Sequence, residues 1–219
     1  WLLNQIGIDY SKKFLEEMNM SIPDNGLAIA LGGLETGLTP VQIAAGYRTF
    51  LHNGEWITAH TIDKIYDRAG NLINEAQPET REVFSPQVAW NMVRMLESVV
   101  DRGTATSGEY TQSLAGKTGS TQHPHVPGSV KDAWFVGMTP EYVTALWMGY
   151  DSSSEDHYLT KGSVAPTVLT KDILQSLNNQ QTLAAEFKKP DNVEELPEPI
   201  ELPKINDLKA EIKLGGASI

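Results

Sequence analysis

The 219-residue sequence contains no cysteine. That removes a disulfide framework, a thiolate nucleophile and a zinc–thiolate site together. A chain without cysteine suits an oxidising, extracytoplasmic setting, but cysteine-free cytosolic chains are common, so the redox compartment stays open on this count. Long hydrophobic runs are missing as well: nothing approaches the roughly 18 consecutive apolar residues of a membrane-spanning helix. Basic residues are scarce, 17 against 28 acidic, for a formal net charge of −11. That sign argues against sequence-independent nucleic-acid binding, which needs a basic face, and disfavours docking on anionic lipid. The chain opens Trp1-Leu2-Leu3-Asn4, with neither a methionine nor a charged stretch leading into an apolar one. It therefore reads as a processed product or a fragment.

What is present is ordinary for a globular protein, 40% apolar and 21% charged, and the length allows one full domain with a tail or part of a second. From Glu186 onward Pro190, Pro197, Pro199 and Pro203 alternate with Glu194, Glu195, Glu198 and Glu201. The expected division is a domain over 1–182 and an acidic, proline-containing linker or wrapped tail over 183–219. Asp9 is expected to cap a helix carrying Tyr10, Phe14 and Met18. Thr39-Pro40-Val41-Gln42 is a capping box with proline at the first helical position, in a helix that Asn53-Gly54 ends. Ser85-Pro86 repeats the start signal, and Val88, Met92, Met95/Leu96 and Val99 predict a buried stripe. A last helix is expected after Pro166 with Leu169, Ile173 and Leu177 inward. Ile57 to Ile73 reads as a polar ribbon turning near Ala69-Gly70-Asn71, and Ser113 to Thr121 as a small, polar strand. Asp132 to Gly137 and Tyr142 to Gly149, joined through Thr139-Pro140-Glu141, predict a tight hairpin with both faces covered. The fold class expected is α+β, an antiparallel sheet flanked by helices.

The chemistry concentrates in Leu114-Ala115-Gly116-Lys117-Thr118-Gly119-Ser120-Thr121. Strand alternation puts Lys117 and Gly119 on one face, Thr118 and Ser120 on the other. On an edge strand, the Thr118 and Ser120 hydroxyls and nearby backbone N–H groups can meet a carboxylate or an acyl oxyanion. Gly119 lets a ligand approach closely, and Lys117 adds positive charge. A phosphate loop is excluded, because Thr111 stands where its first glycine belongs.

Lys117-Thr118-Gly119-Ser120, followed by Asp132-Ala133-Trp134-Phe135-Val136-Gly137 and the Thr-Pro-Glu-Tyr hairpin, resembles the C-terminal half of the transpeptidase domain of penicillin-binding proteins. The bifunctional class A members, which also carry a glycosyltransferase, look most similar. Lys-Thr-Gly is the third motif of that serine acyltransferase superfamily. Further segments run collinear with it: Leu27 to Gly33, Leu38-Thr39-Pro40, Ala44-Ala45-Gly46-Tyr47, Ser85 to Ala89, Val100 to Ala105, and Trp147 to Asp151. The resemblance spans about residues 1–178. It implies that the Ser120 N–H forms half of an oxyanion hole, that Thr118 and Ser120 grip a carboxylate, that Gly119 keeps the strand clear of the acyl group, and that Lys117 supplies positive field.

The family's nucleophile motif, Ser-x-x-Lys, is absent from the sequence. Ser-x-Asn occurs only as Ser176-Leu177-Asn178, after the third motif, where helix termination explains it better. The resemblance therefore implies a companion segment bearing both missing motifs, and a chain inactive by itself. It implies a D,D-transpeptidase acting on peptidoglycan stem peptides and acylated by β-lactams, outside the cytoplasmic membrane, with an upstream anchor and no cofactor. Alternatives are a D,D-carboxypeptidase or β-lactamase-type hydrolase, and a non-catalytic β-lactam sensor or binding module. The histidines, including His123 and His125, are expected to be solvated loop residues, without metal-ligand spacing. Trp134 and Trp147 are expected in the core, and the 122–131 loop beside the cleft.

Overall fold

The computed structural model describes residues 1–181 and 183–195. The chain begins with two short helices, α1 (Leu2–Ile6) and α2 (Ile8–Glu17). Gly7 separates them at φ 90° and is itself the N-cap of α2, so Asp9 falls in the first helical turn and does not cap. Its carboxylate there still complements the positive end of the helix. Tyr10 is exposed, Phe14 stacks on Phe84, and Met18 is buried.

A 3₁₀ turn at Leu27–Leu31 leads to α3 (Pro40–Leu51). The capping box forms as expected: the Gln42 N–H donates to Thr39 Oγ1 at 3.2 Å and the Thr39 N–H donates to Gln42 Oε1 at 2.9 Å. After His52 the chain reverses through Asn53 and Gly54, at φ 55° and 92°. Gly54 is pressed against the next crossing. Its carbonyl accepts from the N–H groups of Val83 and Phe84, and a Cβ on it would lie 1.9 Å from the Phe84 carbonyl oxygen.

Four short strands follow, β1 (Glu55–Ile57), β2 (Lys64–Tyr66), β3 (Leu72–Glu75) and β4 (Thr80–Glu82). The expected single ribbon is two pairings, β1 with β4 and β2 with β3. The turn falls where expected, because the Asp67 carboxylate accepts from the N–H groups of Ala69 and Asn71 at 2.8 Å each.

Ser85 caps α4 (Pro86–Arg102), its Oγ accepting from the Val88 N–H. The buried face is Ala89, Trp90, Val93 and Leu96; of the expected stripe Leu96 is buried and Met92 and Val99 pack against the core, while Val88 and Met95 stay exposed. α5 (Val164–Gln180) shows the same offset: Thr167, Thr170, Lys171 and Leu174 are buried, while Leu169 and Ile173 face out. Threonines turn inward because the sheet comes close there. A Cβ on Gly137 would lie 3.4 Å from Thr170 Cγ2.

That sheet consists of β5 (Ala115–Gln122), β6 (Val130–Met138) and β7 (Val143–Gly149), antiparallel in chain order. The hairpin forms as read, with the buried Thr139 hydroxyl accepting from the N–H groups of Glu141 and Tyr142. Helices cover the sheet from both sides. Val93 and Leu96 of α4 pack with Ala115 and Met138, joined by Tyr47 and Phe50 of α3. Leu174 of α5 packs with Phe135, Leu114 and Ala105 on the other face. No helix among the described residues is long and apolar enough to cross a membrane.

The segment 183–195 turns back over α4. Leu183 and Val193 are buried and Phe187 joins the α3–α4 cluster. Gln87 and Glu194 exchange side chain–backbone bonds in both directions, the Trp90 indole N–H donates to Glu195 at 3.1 Å, and the Arg94 guanidinium donates to the same carboxylate at 2.8 Å. These bonds explain how a proline-broken stretch without helix or strand is held: its polar groups are satisfied by a helix already in place. The remaining expected tail, 196–219, lies outside the described residues.

Candidate active site

Lys117, Thr118, Gly119 and Ser120 lie on β5, the edge strand of the sheet, so alternate backbone groups are left outside the ladder. They sit opposite Val136, Phe135, Trp134 and Ala133 of β6. The alternation is as expected. Gly119 faces the indole of Trp134, whose Cβ would lie 3.3 Å from an added Cβ, while Ser120 points to the start of α5. Lys117 is exposed and its ammonium donates to the Thr118 carbonyl at 2.8 Å. Thr118 is half-buried, with its hydroxyl 2.6 Å from that of Thr104. The Ser120 Oγ accepts from the Ser163 N–H at 3.2 Å, and Gly162 leaves room for it: a Cβ there would come within 2.9 Å of that oxygen.

Sequence reading placed Thr104 only within the Val100 to Ala105 segment, with no role, and missed Gly162, Ser163 and Lys171. The signals were faint: a threonine just past a helix-ending glycine, and Gly-Ser ahead of a helix. Lys171 is buried on α5, donating to the carbonyls of Ala105 and Gly108. Burial pulls its ammonium below the ordinary lysine range, against the opposing charge of Asp101. Cavities of about 300, 410 and 350 Å³ lie elsewhere, none touching residues 117–120. The strand is an accessible edge, with Lys117 and Ser120 exposed and Thr118 half-buried. It presents two hydroxyls and an ammonium to solvent, a set matched to an anion.

Residues 4–175 match the family described as the penicillin binding protein transpeptidase domain. The chain belongs to that family. Penicillin-binding protein 1F of Bacillus subtilis (strain 168) is 47% identical over 219 residues, all of this chain and 30% of that protein. The chain thus spans less than a third of that relative's length. Two solved structures share the fold. PonA1 from Mycobacterium tuberculosis has TM-score 0.62 at 24% identity, over 83% of this chain and 49% of that one. Penicillin-binding protein 3 from the same organism, complexed with ampicillin, has TM-score 0.62 at 21% identity, over 81% and 48%. These matches bear out the resemblance read from the Lys-Thr-Gly strand and the α+β class.

In this transpeptidase-family chain, Ser176-Leu177-Asn178 is helix structure: the Ser176 hydroxyl donates to the Asp172 carbonyl and the Asn178 side chain accepts from the Leu183 N–H. Two expectations need correction. Trp134 and Trp147 are half-buried rather than core, with ring centroids 6.4 Å apart and the Trp147 indole donating to Asp132. His123, at the end of β5, is 6% exposed, unlike the solvated His125. Its Nδ1 accepts from the N–H groups of His125 and Val126, which fold the 123–129 loop onto the ring. Those bonds assign the ring proton of neutral His123 to Nε2. Replacing His123 with alanine orphans both amides, at a cost of about 2 kcal/mol. Amide exchange over 124–129 in the complete polypeptide is expected to quicken roughly 30-fold; unchanged exchange would show that the ring does not hold the loop.

Proposed function

We propose that this chain is the C-terminal part of a peptidoglycan D,D-transpeptidase domain, from a bifunctional class A penicillin-binding protein whose nucleophile lies outside these residues. The observation that carries the reading is the Lys-Thr-Gly-Ser edge strand in a family-matched sheet, with its hydroxyls turned to one side and its front open.

In that reading a serine from a Ser-x-x-Lys segment attacks the D-Ala-D-Ala amide of a stem peptide. An acyl-enzyme forms, terminal D-alanine leaves with a proton, and an amine of a neighbouring stem takes the acyl group. The Ser120 N–H is half of the oxyanion hole, the other half coming from the nucleophile's own segment. Thr118 and Ser120 donate to the terminal carboxylate of the donor stem, or to the carboxylate of a β-lactam in its place. Lys117 supplies positive field to the same anion, and Gly119 lets the acyl chain lie flat along the edge. The 122–131 loop borders the far end of the strand. The site faces outside the cytoplasmic membrane, anchored by a segment upstream of these residues, and the companion part of the domain supplies Ser-x-x-Lys and Ser-x-Asn.

Labelling with a fluorescent penicillin, followed by denaturing electrophoresis, tests this. The complete polypeptide is expected to carry label and the isolated 219-residue chain to stay dark. Label on the isolated chain would place the nucleophile within it. No label on either would overturn the transpeptidase reading.

A further inference from the structure

Two hydroxyls on β5 lie on one face of the strand, and each is met by a group outside the Lys-Thr-Gly-Ser segment. Ser120 Oγ accepts from the Ser163 N–H just ahead of α5, so its own proton is free to point forward. Thr118 is met instead by another hydroxyl, Thr104, at 2.6 Å. A threonine hydroxyl has one proton and accepts through its lone pairs. For Thr118 to donate that proton to an anion, Thr104 must donate to Thr118. The pair then runs in one direction, Thr104 to Thr118 to ligand.

Thr104 is exposed, but its backbone is fixed on both sides. The N–H groups of Gly103 and Ala105 both donate to the Val99 carbonyl at 3.1 Å, winding the chain tightly off the end of α4. Gly103 has no room for a side chain, since a Cβ would sit 2.8 Å from Val99. Ala105 is fully buried, and its carbonyl accepts from the buried Lys171 ammonium at 2.9 Å. A surface threonine held this firmly, with its hydroxyl against a site hydroxyl, serves more than solvation.

We propose that Thr104 is a positioning residue for acyl transfer, donating to the Thr118 hydroxyl so that Thr118 presents its proton to the carboxylate of the incoming acyl donor. This rests on the transpeptidase reading above. Thr104 does not touch the reacting atoms; it sets the direction of a bond made by its neighbour. Lys171 acts one step further back, through the Ala105 carbonyl.

The test measures acylation rates of the complete polypeptide with benzylpenicillin and with its methyl ester, which lacks the carboxylate. With benzylpenicillin, Thr104→Val is expected to be about tenfold slower than wild type and Thr104→Ser within about threefold. On the ester, Thr104→Val and wild type are expected to agree within about threefold, because the anion that Thr118 serves is gone. Thr104→Val added to Thr118→Val is expected to slow benzylpenicillin acylation no further than Thr118→Val alone. Equal rates for Thr104→Val and wild type on benzylpenicillin would overturn the proposal. So would an equal loss on both substrates, the mark of a merely structural role. Wild-type protein that acylates with neither substrate would bring down the transpeptidase reading and the proposal with it, an outcome distinct from a wild type that acylates while Thr104→Val matches it.

Discussion

Replacing Lys117 with alanine in the complete polypeptide is expected to slow penicillin acylation by about 10²–10³-fold, the range seen when one preorganised electrostatic donor is removed from an acyl-transfer site. Lys117 stands on the edge strand one residue before Thr118 and three before Ser120, on the face opposite their hydroxyls. Its ammonium bonds a carbonyl of its own strand, so the charge stays beside the hydroxyls instead of sweeping through solvent. In the proposed transpeptidase reading, positive field there acts on the donor carboxylate that Thr118 and Ser120 bind. Lys161 gives the comparison. It is an exposed lysine in the loop before α5, and Lys161→Ala is expected to change the rate by less than threefold. Equal effects of the two substitutions would mean that Lys117 contributes only to general surface charge.

The largest stability effect is expected at Gly54. An alanine there meets two penalties at once, a backbone at φ 92° that L residues resist and a Cβ 1.9 Å from the Phe84 carbonyl oxygen. Phe84 cannot simply retreat. Its N–H and that of Val83 both donate to the Gly54 carbonyl, and its ring stacks between Phe14 and Phe50. Relief therefore requires moving the crossing that ties β1 and β4 to α2 and α3. Gly54→Ala is expected to cost more than about 4 kcal/mol, the exceptional end of single substitutions, and to lower the melting midpoint by about 10 °C or more. Gly70 separates the two penalties. It has φ 86° but nothing within 4 Å of an added Cβ, so Gly70→Ala is expected to cost only about 1–2 kcal/mol. Comparable losses at the two glycines in thermal unfolding would refute the steric argument.

The fold was most legible where the physics is local. Thr39 with Gln42, and Ser85 with its following proline, announce helix starts because the bonds that make them lie within three residues. The β6–β7 hairpin could be read for the same reason, its turn closed by Thr139 and Tyr142. Asp9 misled because Gly7, two residues earlier, takes the N-cap position itself.

The helix stripes were misread in part, at Val88, Met95, Leu169 and Ile173, for a different reason. Apolar periodicity locates an apolar face but not what stands in front of it. Val88 and Met95 on α4, and Leu169 and Ile173 on α5, are apolar at helical spacing, yet the sheet and the 183–195 segment meet these helices on another side. The motif residues of the site were readable because they are consecutive on one strand. Thr104 and Ser163 were not, since they meet Thr118 and Ser120 from 14 and 43 residues away. Such pairings depend on how α4 and α5 end, and the sequence carries little trace of that.

The return of the chain over α4 has a mechanical consequence. Tension applied to residues beyond 195 would not reach α5 first, although α5 is nearer along the chain. It would load the contacts of Gln87, Trp90 and Arg94 with Glu194 and Glu195, pulling on the N-terminal half of α4. α4 runs eight residues beyond Arg94 to Arg102, roughly 12 Å along its axis, and Thr104 follows two residues later. A tether on the tail would thus strain the same helix that carries the group behind Thr118, while the opposite face of the sheet stayed unloaded.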